Sequence, residues 1–148
     1  MILFFDTSAL VAATIATEAH HDWCRENLER CMAGPDRGCL CTHTIAEYYA
    51  VLTGKSVPRI APPQAVNAVA NLLGCLDAVP LCCEDYRRAI RWMADLGLQG
   101  GSVYDALIAC AALKMEADAL LTLNPRHFVR LGESIRPLVY APAGSGNS

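Results

Sequence analysis

Four polar residues stand out in this 148-residue chain because each follows a predicted strand or opens a predicted helix. They are Asp6 in FFDTS, Glu47 in THTIAE, Asp105 in GGSVYDALIA and Asn124 in TLNP. Carboxylates held close together raise one another's pKa and destabilise a fold unless a cation binds among them. Mg²⁺ and Mn²⁺ prefer such oxygen ligands, and an ion held there can activate a water for attack on a phosphate. The residue types therefore favour a metal-dependent nuclease site.

Helix capping is the competing interpretation of these residues. Asp6 and Asn124 stand where a helix N-cap is expected, and the spacings T-x-x-E ending at Glu47 and S-x-x-D ending at Asp105 fit a capping box. For each residue alone, capping explains the pattern at least as well as catalysis. Three carboxylates from distant parts of the chain that converge on one place favour the metal site.

The elements that must position these residues alternate along the chain. Strands are predicted at 1–5, 38–41, 77–81, 119–122 and 136–140, and helices at 7–15, 20–32, 44–52, from 62, 84–96, 103–115 and 125–131. Such alternation predicts a parallel α/β sheet with helices on both faces, in which ligands bind at the carboxyl ends of the strands. Pro80 and Pro137 place their strands at the edges of the sheet. We expect one domain over 1–141 and a flexible tail over 142–148.

Composition excludes several classes of protein. Hydrophobic residues make up 53% of the chain and charged residues 18%, which excludes a disordered chain or a coiled coil. No apolar run approaches a membrane span of about 20 residues, and the N-terminus lacks the basic region of a signal peptide, so we expect a cytoplasmic protein. The net charge of −3 argues against a protein that coats nucleic acid, but not against an enzyme that contacts it through a local basic patch.

The eight cysteines show no C-x-x-C motif and no zinc-finger spacing with histidine. Most lie among apolar residues, as in CLC, LCCE and LIACAAL, where a free thiol behaves as a small hydrophobic side chain. We therefore predict that they are reduced and contribute to packing.

Three blocks of the chain resemble the PIN-domain ribonucleases, and within them the VapC-like toxins of type II toxin–antitoxin modules. The blocks are MILFFDTSAL, THTIAEYYAVLT and GGSVYDALIACAALKMEADALLTLNPRHF, and they span nearly the whole sequence in order. The resemblance implies a three-layer α/β/α sandwich whose central parallel sheet has four to five strands in the order 3-2-1-4-5. It also implies an endoribonuclease that uses Mg²⁺ or Mn²⁺, forms a homodimer and is neutralised by an antitoxin protein.

The resemblance also assigns roles to residues. The metal-binding and catalytic acids fall on Asp6, Glu47 and Asp105, and the fourth catalytic position falls on Asn124, where many members have Asp. Because an amide is a weaker ligand than a carboxylate, Asn124 weakens a second metal site and favours occupancy by one metal ion. The supporting hydroxyl positions of the family correspond to Thr7 or Ser8 and to Thr122.

Further residues are candidates for RNA contacts, because arginine suits phosphate geometry and aromatic rings stack on bases. These candidates are His43, Tyr48, Tyr104, Arg87, Arg88, Arg91 and Arg126. A solvated helix face remains the alternative for the arginines, and core packing the alternative for the tyrosines.

Two other functions remain open from sequence. A PIN scaffold without catalysis could bind a protein or RNA partner, although such a scaffold has no reason to keep three repelling carboxylates. An unrelated phosphotransfer-type α/β domain also places an aspartate after the first strand. A phosphatase of that kind needs a second Asp where Ser8 stands, and a receiver domain needs paired acids and a late lysine that do not occur here.

Overall fold

A single parallel sheet forms the centre of the protein, as the computed structural model of residues 1–146 shows. Its strands are β1 (Ile2–Phe5), β2 (Arg37–Cys41), β3 (Asp77–Val79), β4 (Ala119–Leu121) and β5 (Val139–Tyr140). They pair in the order β3-β2-β1-β4-β5, with every neighbouring pair parallel. The predicted strand order is therefore confirmed, including the edge positions of β3 and β5.

Helices cover both faces of this sheet. They are α1 (Thr7–Thr14), α2 (His21–Ala33), α3 (Thr42–Gly54), α4 (Pro62–Cys75), α5 (Cys83–Leu96), α6 (Ser102–Lys114) and α7 (Pro125–Val129). The arrangement confirms the predicted three-layer α/β/α sandwich. Within residues 1–146, none of the helices is long and apolar enough to cross a membrane.

The alternation of side chains along β1 divides the core in two. Leu3 and Phe5 pack with α1, α2, α3 and α4 on one face, whereas Phe4 packs with α5, α6 and α7 on the other. Consecutive strand residues point to opposite faces, so a strand buried on both sides is apolar throughout, as β1 is. The first polar residue after β1 is Asp6, which lies at the carboxyl edge of the sheet.

Several element ends differ from the sequence prediction, and two of these differences affect the sheet edge and the candidate site. The predicted last strand, 136–140, is shorter, because Arg136–Leu138 forms a 3-10 turn around Pro137 and only Val139–Tyr140 pairs with β4. α3 begins at Thr42, directly after β2, and not at residue 44. Glu47 consequently lies in the second turn of α3 instead of the first.

The cysteines follow the packing prediction only in part. All eight, which lie within the described residues, are free thiols, and Cys24, Cys39 and Cys41 are buried. Cys82 and Cys83 are exposed, so the prediction is wrong for them. The reason is their position at the start of α5, where the Cys82 sulfur accepts a hydrogen bond from a backbone N–H of the first turn.

The predicted flexible tail, 142–148, is described only as far as residue 146. Pro142 is buried, and the Ser145 hydroxyl donates to its carbonyl oxygen at 2.7 Å. Residues 147–148 lie outside the described residues.

Candidate active site

Asp6 is a buried carboxylate held by three hydrogen-bond donors. One oxygen accepts from the Thr7 backbone N–H at 2.8 Å, and the other accepts from the Ser8 hydroxyl at 2.7 Å and the Thr122 hydroxyl at 2.8 Å. Burial nevertheless raises the pKa of Asp6, because loss of hydration outweighs the donors. These donors fix the orientation of a carboxyl group that is costly to ionise.

The two hydroxyls on Asp6 also tie β1 to β4. The Leu123 backbone N–H donates to the Ser8 hydroxyl oxygen at 3.0 Å, and the Asn124 N–H donates to the Thr122 hydroxyl oxygen at 2.9 Å. The structure thus places Ser8 and Thr122 directly on Asp6. The Thr7 hydroxyl is buried without a hydrogen-bond partner and does not contribute in this way.

Glu47 faces the same place from the second turn of α3. Its Oε1 atom is buried and has no hydrogen-bond partner. The His43 Nε2 atom lies 3.3 Å from Oε1, close enough for an ion pair but without the alignment of a hydrogen bond, so the pairing is weak. Burial, followed by the charges of Asp6 and Asp105, raises the pKa of Glu47 to about 7.

Asp105 reaches the site from the first turn of α6. Burial and the charge of Asp6 raise its pKa to about 6, although the neighbouring His127 and Arg130 side chains oppose the rise. The His127 Nδ1 and Arg130 Nη2 atoms each lie 3.5 Å from one Asp105 oxygen. Sequence analysis missed Arg130, because only the packing of α7 against α6 brings it to Asp105.

Capping does not explain Glu47 or Asp105. α3 begins at Thr42, so the predicted box does not form, and the Thr44 hydroxyl is buried without a partner. α6 has no side-chain cap, because the Ser102 hydroxyl donates to the Gln99 carbonyl oxygen instead. Of the three acids, Asp6 alone caps a helix, by accepting a hydrogen bond from the Thr7 N–H at the start of α1. Glu47 and Asp105 therefore have no capping role that would explain their position.

The three acids fit a hard divalent cation by their chemistry. The charge of Asp6 raises the pKa of both Glu47 and Asp105, and Glu47 keeps a buried oxygen without a hydrogen-bond donor, a combination that a bound cation would relieve. All the atoms are oxygens, the ligands that Mg²⁺ and Mn²⁺ prefer. Within residues 1–146, no three His, Cys, Asp or Glu side chains already form a set that could hold a metal ion. Asp6 is engaged by hydroxyls and Asp105 faces cations, so ion binding requires these side chains to adjust.

Several predicted RNA contacts lie elsewhere. Tyr48 is 1% exposed and its hydroxyl is 2.6 Å from that of Thr14, so it is a core residue and its predicted stacking on a base is wrong. Arg87 lies near Glu84 at 3.9 Å on the exposed face of α5. Arg88 lines a cleft with Lys114, at the end of α6 opposite to Asp105.

Arg91 is exposed on the same helix, so all three arginines of α5 fit the solvated-face alternative. The other candidates surround the acids more closely: the His43 ring contacts Glu47, and Tyr104 directly precedes Asp105. Arg126 is exposed on α7, and Asn124 is exposed at its start without capping it. The roles of Asn124 and Arg126 stay predictions.

Comparison with known proteins identifies the family. The model of the PIN domain family matches residues 3–134. Ribonuclease VapC40 of Mycobacterium tuberculosis is 31% identical over 122 residues, which cover 82% of this chain and 85% of that protein. Ribonuclease VapC27 of the same organism is 39% identical over 84 residues, which cover 53% of this chain and only 57% of VapC27.

Solved structures show the same fold at lower identity. VapBC2 from Rickettsia felis, solved with a DNA fragment from its promoter, superposes with a TM-score of 0.69 at 21% identity and covers 95% of this chain and 98% of that one. VapC20 of Mycobacterium tuberculosis, a toxin that cleaves the sarcin-ricin loop, gives 0.65 at 19% identity and covers 80% and 86%. Fold, family model and curated relatives agree, and the chain belongs to the PIN-domain family of VapC toxin-like ribonucleases.

Proposed function

We propose that this chain is a divalent-metal-dependent endoribonuclease and the toxin of a toxin–antitoxin pair. The observation that carries the proposal is the proximity of Asp6, Glu47 and Asp105: burial opposes ionisation of all three, and the charge of Asp6 opposes it further at Glu47 and Asp105. Ionising such a cluster lowers the stability of the fold, because each unit by which a carboxyl pKa is raised corresponds to about 1.4 kcal/mol. A purely structural role therefore does not explain the cluster.

Asp6, Glu47 and Asp105 would hold Mg²⁺ or Mn²⁺, with the Asn124 amide as a fourth, weaker catalytic group. Such a cation supplies Lewis-acid chemistry, lowering the pKa of water and neutralising charge that develops on the phosphate. The Ser8 and Thr122 hydroxyls keep Asp6 in one orientation. The expected products are RNA fragments with 5′-phosphate and 3′-hydroxyl ends.

Arg130 and His127 would contact the RNA substrate. Both are half exposed and lie beside Asp105, where they would meet the backbone of an RNA strand entering the site. A guanidinium recognises phosphate oxygens through paired hydrogen bonds. The side chains that neutralise Asp105 in the free protein would then contact the RNA phosphate when substrate binds.

Cleavage of a pool of single-stranded RNA, analysed for end chemistry, tests the proposal. We expect cleavage with Mn²⁺ or Mg²⁺, none with EDTA, and a loss of about 10²–10³-fold in Asp6→Asn and Asp105→Asn, the range for removing an electrostatic group from a catalytic site. Asp95→Asn is the matched control, because Asp95 is exposed at the end of α5. Cleavage that persists in Asp105→Asn would exclude the assigned site.

The toxin role has a separate test. An acidic site on a chain of net charge −3 suits a cationic, disordered antitoxin segment that folds on binding. We expect growth arrest on expression of the chain, none with Asp105→Asn, and relief on co-expression of the antitoxin, bound to a homodimer of the toxin. An active nuclease that is harmless to cells would contradict the toxin role alone.

A catalytically silent binding module is the second candidate function, and the buried Glu47 Oε1 atom, which has no hydrogen-bond partner, argues against it. The alternative of an unrelated phosphotransfer domain is excluded by membership in the PIN-domain family.

A further inference from the structure

A cleft of about 450 Å³ opens beside Glu47. Besides Glu47, it is lined by His43, Ala46, Ala50, Val51, Lys55 and Tyr104. Most of these residues recur at intervals of three or four along α3, so they form one face of that helix. The cleft is therefore a groove along α3, and Tyr104 from α6 completes its lining.

Two of the lining residues, His43 and Tyr104, form a stacked aromatic pair. The His43 and Tyr104 rings lie with centroids 4.9 Å apart and planes only 7° from parallel. The His43 Nε2 atom also lies 3.3 Å from the Glu47 Oε1 atom, so the stacked pair adjoins the acids. Tyr104 is nevertheless 48% exposed, so much of this aromatic surface is available to a ligand.

The cleft has small side chains along its floor and a lysine at its far end. Ala46 and Ala50 are exposed alanines whose small side chains leave space that longer residues would fill. Lys55 lies eight residues beyond Glu47, about 12 Å along the helix. The groove thus runs along α3 from the aromatic pair of His43 and Tyr104, past Glu47, to the Lys55 cation.

We propose that this cleft is a binding subsite for one unpaired nucleobase of single-stranded RNA, next to the phosphodiester bond at the acids. Tyr104, backed by His43, stacks on the base, and Lys55 contacts a neighbouring phosphate. Stacking on an aromatic side chain is how proteins hold splayed-out bases without reading their edges. This inference rests on the proposed function, because the acids define which bond lies beside the subsite.

Binding without cleavage tests the subsite directly. In EDTA, fluorescence anisotropy compares labelled single-stranded 10-mers of adenosine, cytidine or uridine with an abasic ribose-phosphate 10-mer. We expect the base-bearing RNAs to bind between about 5-fold and 150-fold tighter than the abasic one, the range for stacking one base. A protein partner as the occupant predicts no difference between the two kinds of oligomer.

Variants test whether the Tyr104 ring is responsible for base-dependent binding. Tyr104→Ala should abolish most of the gain in affinity of base-bearing over abasic RNA, whereas Tyr104→Phe should keep that gain. Ala50→Leu should reduce the gain by filling the groove. Tyr49→Ala is the matched control, since Tyr49 is 38% exposed on α3 but lines a different cleft, and it should change nothing.

Lys55→Ala should weaken the binding of base-bearing and abasic oligomers by the same factor. It should also reduce the slope of log K against log salt concentration by about 0.7, the effect of losing one phosphate contact to a single strand. Equal affinity of the wild type for both kinds of oligomer, or a gain that survives Tyr104→Ala and Ala50→Leu, overturns the subsite. The cleavage assay is independent: metal-dependent cutting with no base-dependent binding contradicts the subsite and leaves the proposed function intact.

Discussion

Glu47 is the residue at which the electrostatics of the site are easiest to measure. Burial and the charges of Asp6 and Asp105 all act in the same direction on it, and its pKa rises from 4.5 to about 7. The folded protein therefore binds this proton more tightly than the unfolded chain does. Folding takes up a proton between pH 4.5 and 7, so the free energy of unfolding falls as the pH rises through that range.

Glu47→Gln should remove this dependence in the metal-free protein. We expect the wild type to lose about 1–3 kcal/mol relative to the variant between pH 4.5 and 8, at about 1.4 kcal/mol per pKa unit and less where solvent screens the charge. Urea denaturation in EDTA across this range measures the difference. Glu29→Gln controls for loss of an exposed carboxylate on another helix. A pH-independent difference between wild type and Glu47→Gln would show that Glu47 ionises as freely in the fold as in the unfolded chain.

Among the elements, β2 depends on a glycine for its contact with the helices beside it. A Cβ atom on Gly38 would lie 2.4 Å from a Leu76 methyl carbon and 3.0 Å from the Cys31 Cβ and Sγ atoms. β2 in turn carries the chain directly into α3 and so sets the position of Glu47. The close approach at Gly38 thus affects both the packing and the site.

Gly38→Ala should destabilise the fold by about 1–3 kcal/mol, the usual effect of adding a carbon to a packed core. Gly74→Ala is the matched control, because a Cβ there meets nothing within 4 Å and Gly74 lies inside α4. Replacing glycine by alanine in a helix favours folding by up to about 1 kcal/mol, so this variant should be slightly more stable. Urea midpoints compare the two, and equal effects at both positions would show that β2 does not need the missing side chain.

Sequence predicted the elements better than their ends and contacts. Strand alternation was enough for a parallel α/β sheet and the prolines at 80 and 137 for its edge strands, since both are local properties, whereas the full strand order came from the resemblance to the PIN-domain ribonucleases. The start of α3 was not predictable, because a capping-box spacing competed with the immediate exit from β2. Arg130 beside Asp105 and the stacking of His43 on Tyr104 depend on how helices distant in sequence pack, which local patterns do not contain.

At the scale of the whole molecule, the acid cluster links metal binding to global stability. An ion that binds only the folded state raises the free energy of unfolding by RT ln(1 + [L]/Kd), about 2.7 kcal/mol at a hundredfold excess over Kd. For a chain of 148 residues this is a rise in Tm of roughly 5–10 °C. Asp105→Asn removes one repelling charge and one ligand together.

Differential scanning calorimetry of the wild type and Asp105→Asn, each with EDTA and with Mn²⁺, tests most directly whether the three acids form a metal site. We predict that Mn²⁺ raises the Tm of the wild type by several degrees and that of Asp105→Asn by much less. In EDTA, Asp105→Asn should melt at the same temperature as the wild type or higher. A wild type whose Tm does not respond to Mn²⁺, or an Asp105→Asn that is less stable in EDTA and gains as much from Mn²⁺ as the wild type, would contradict the metal site.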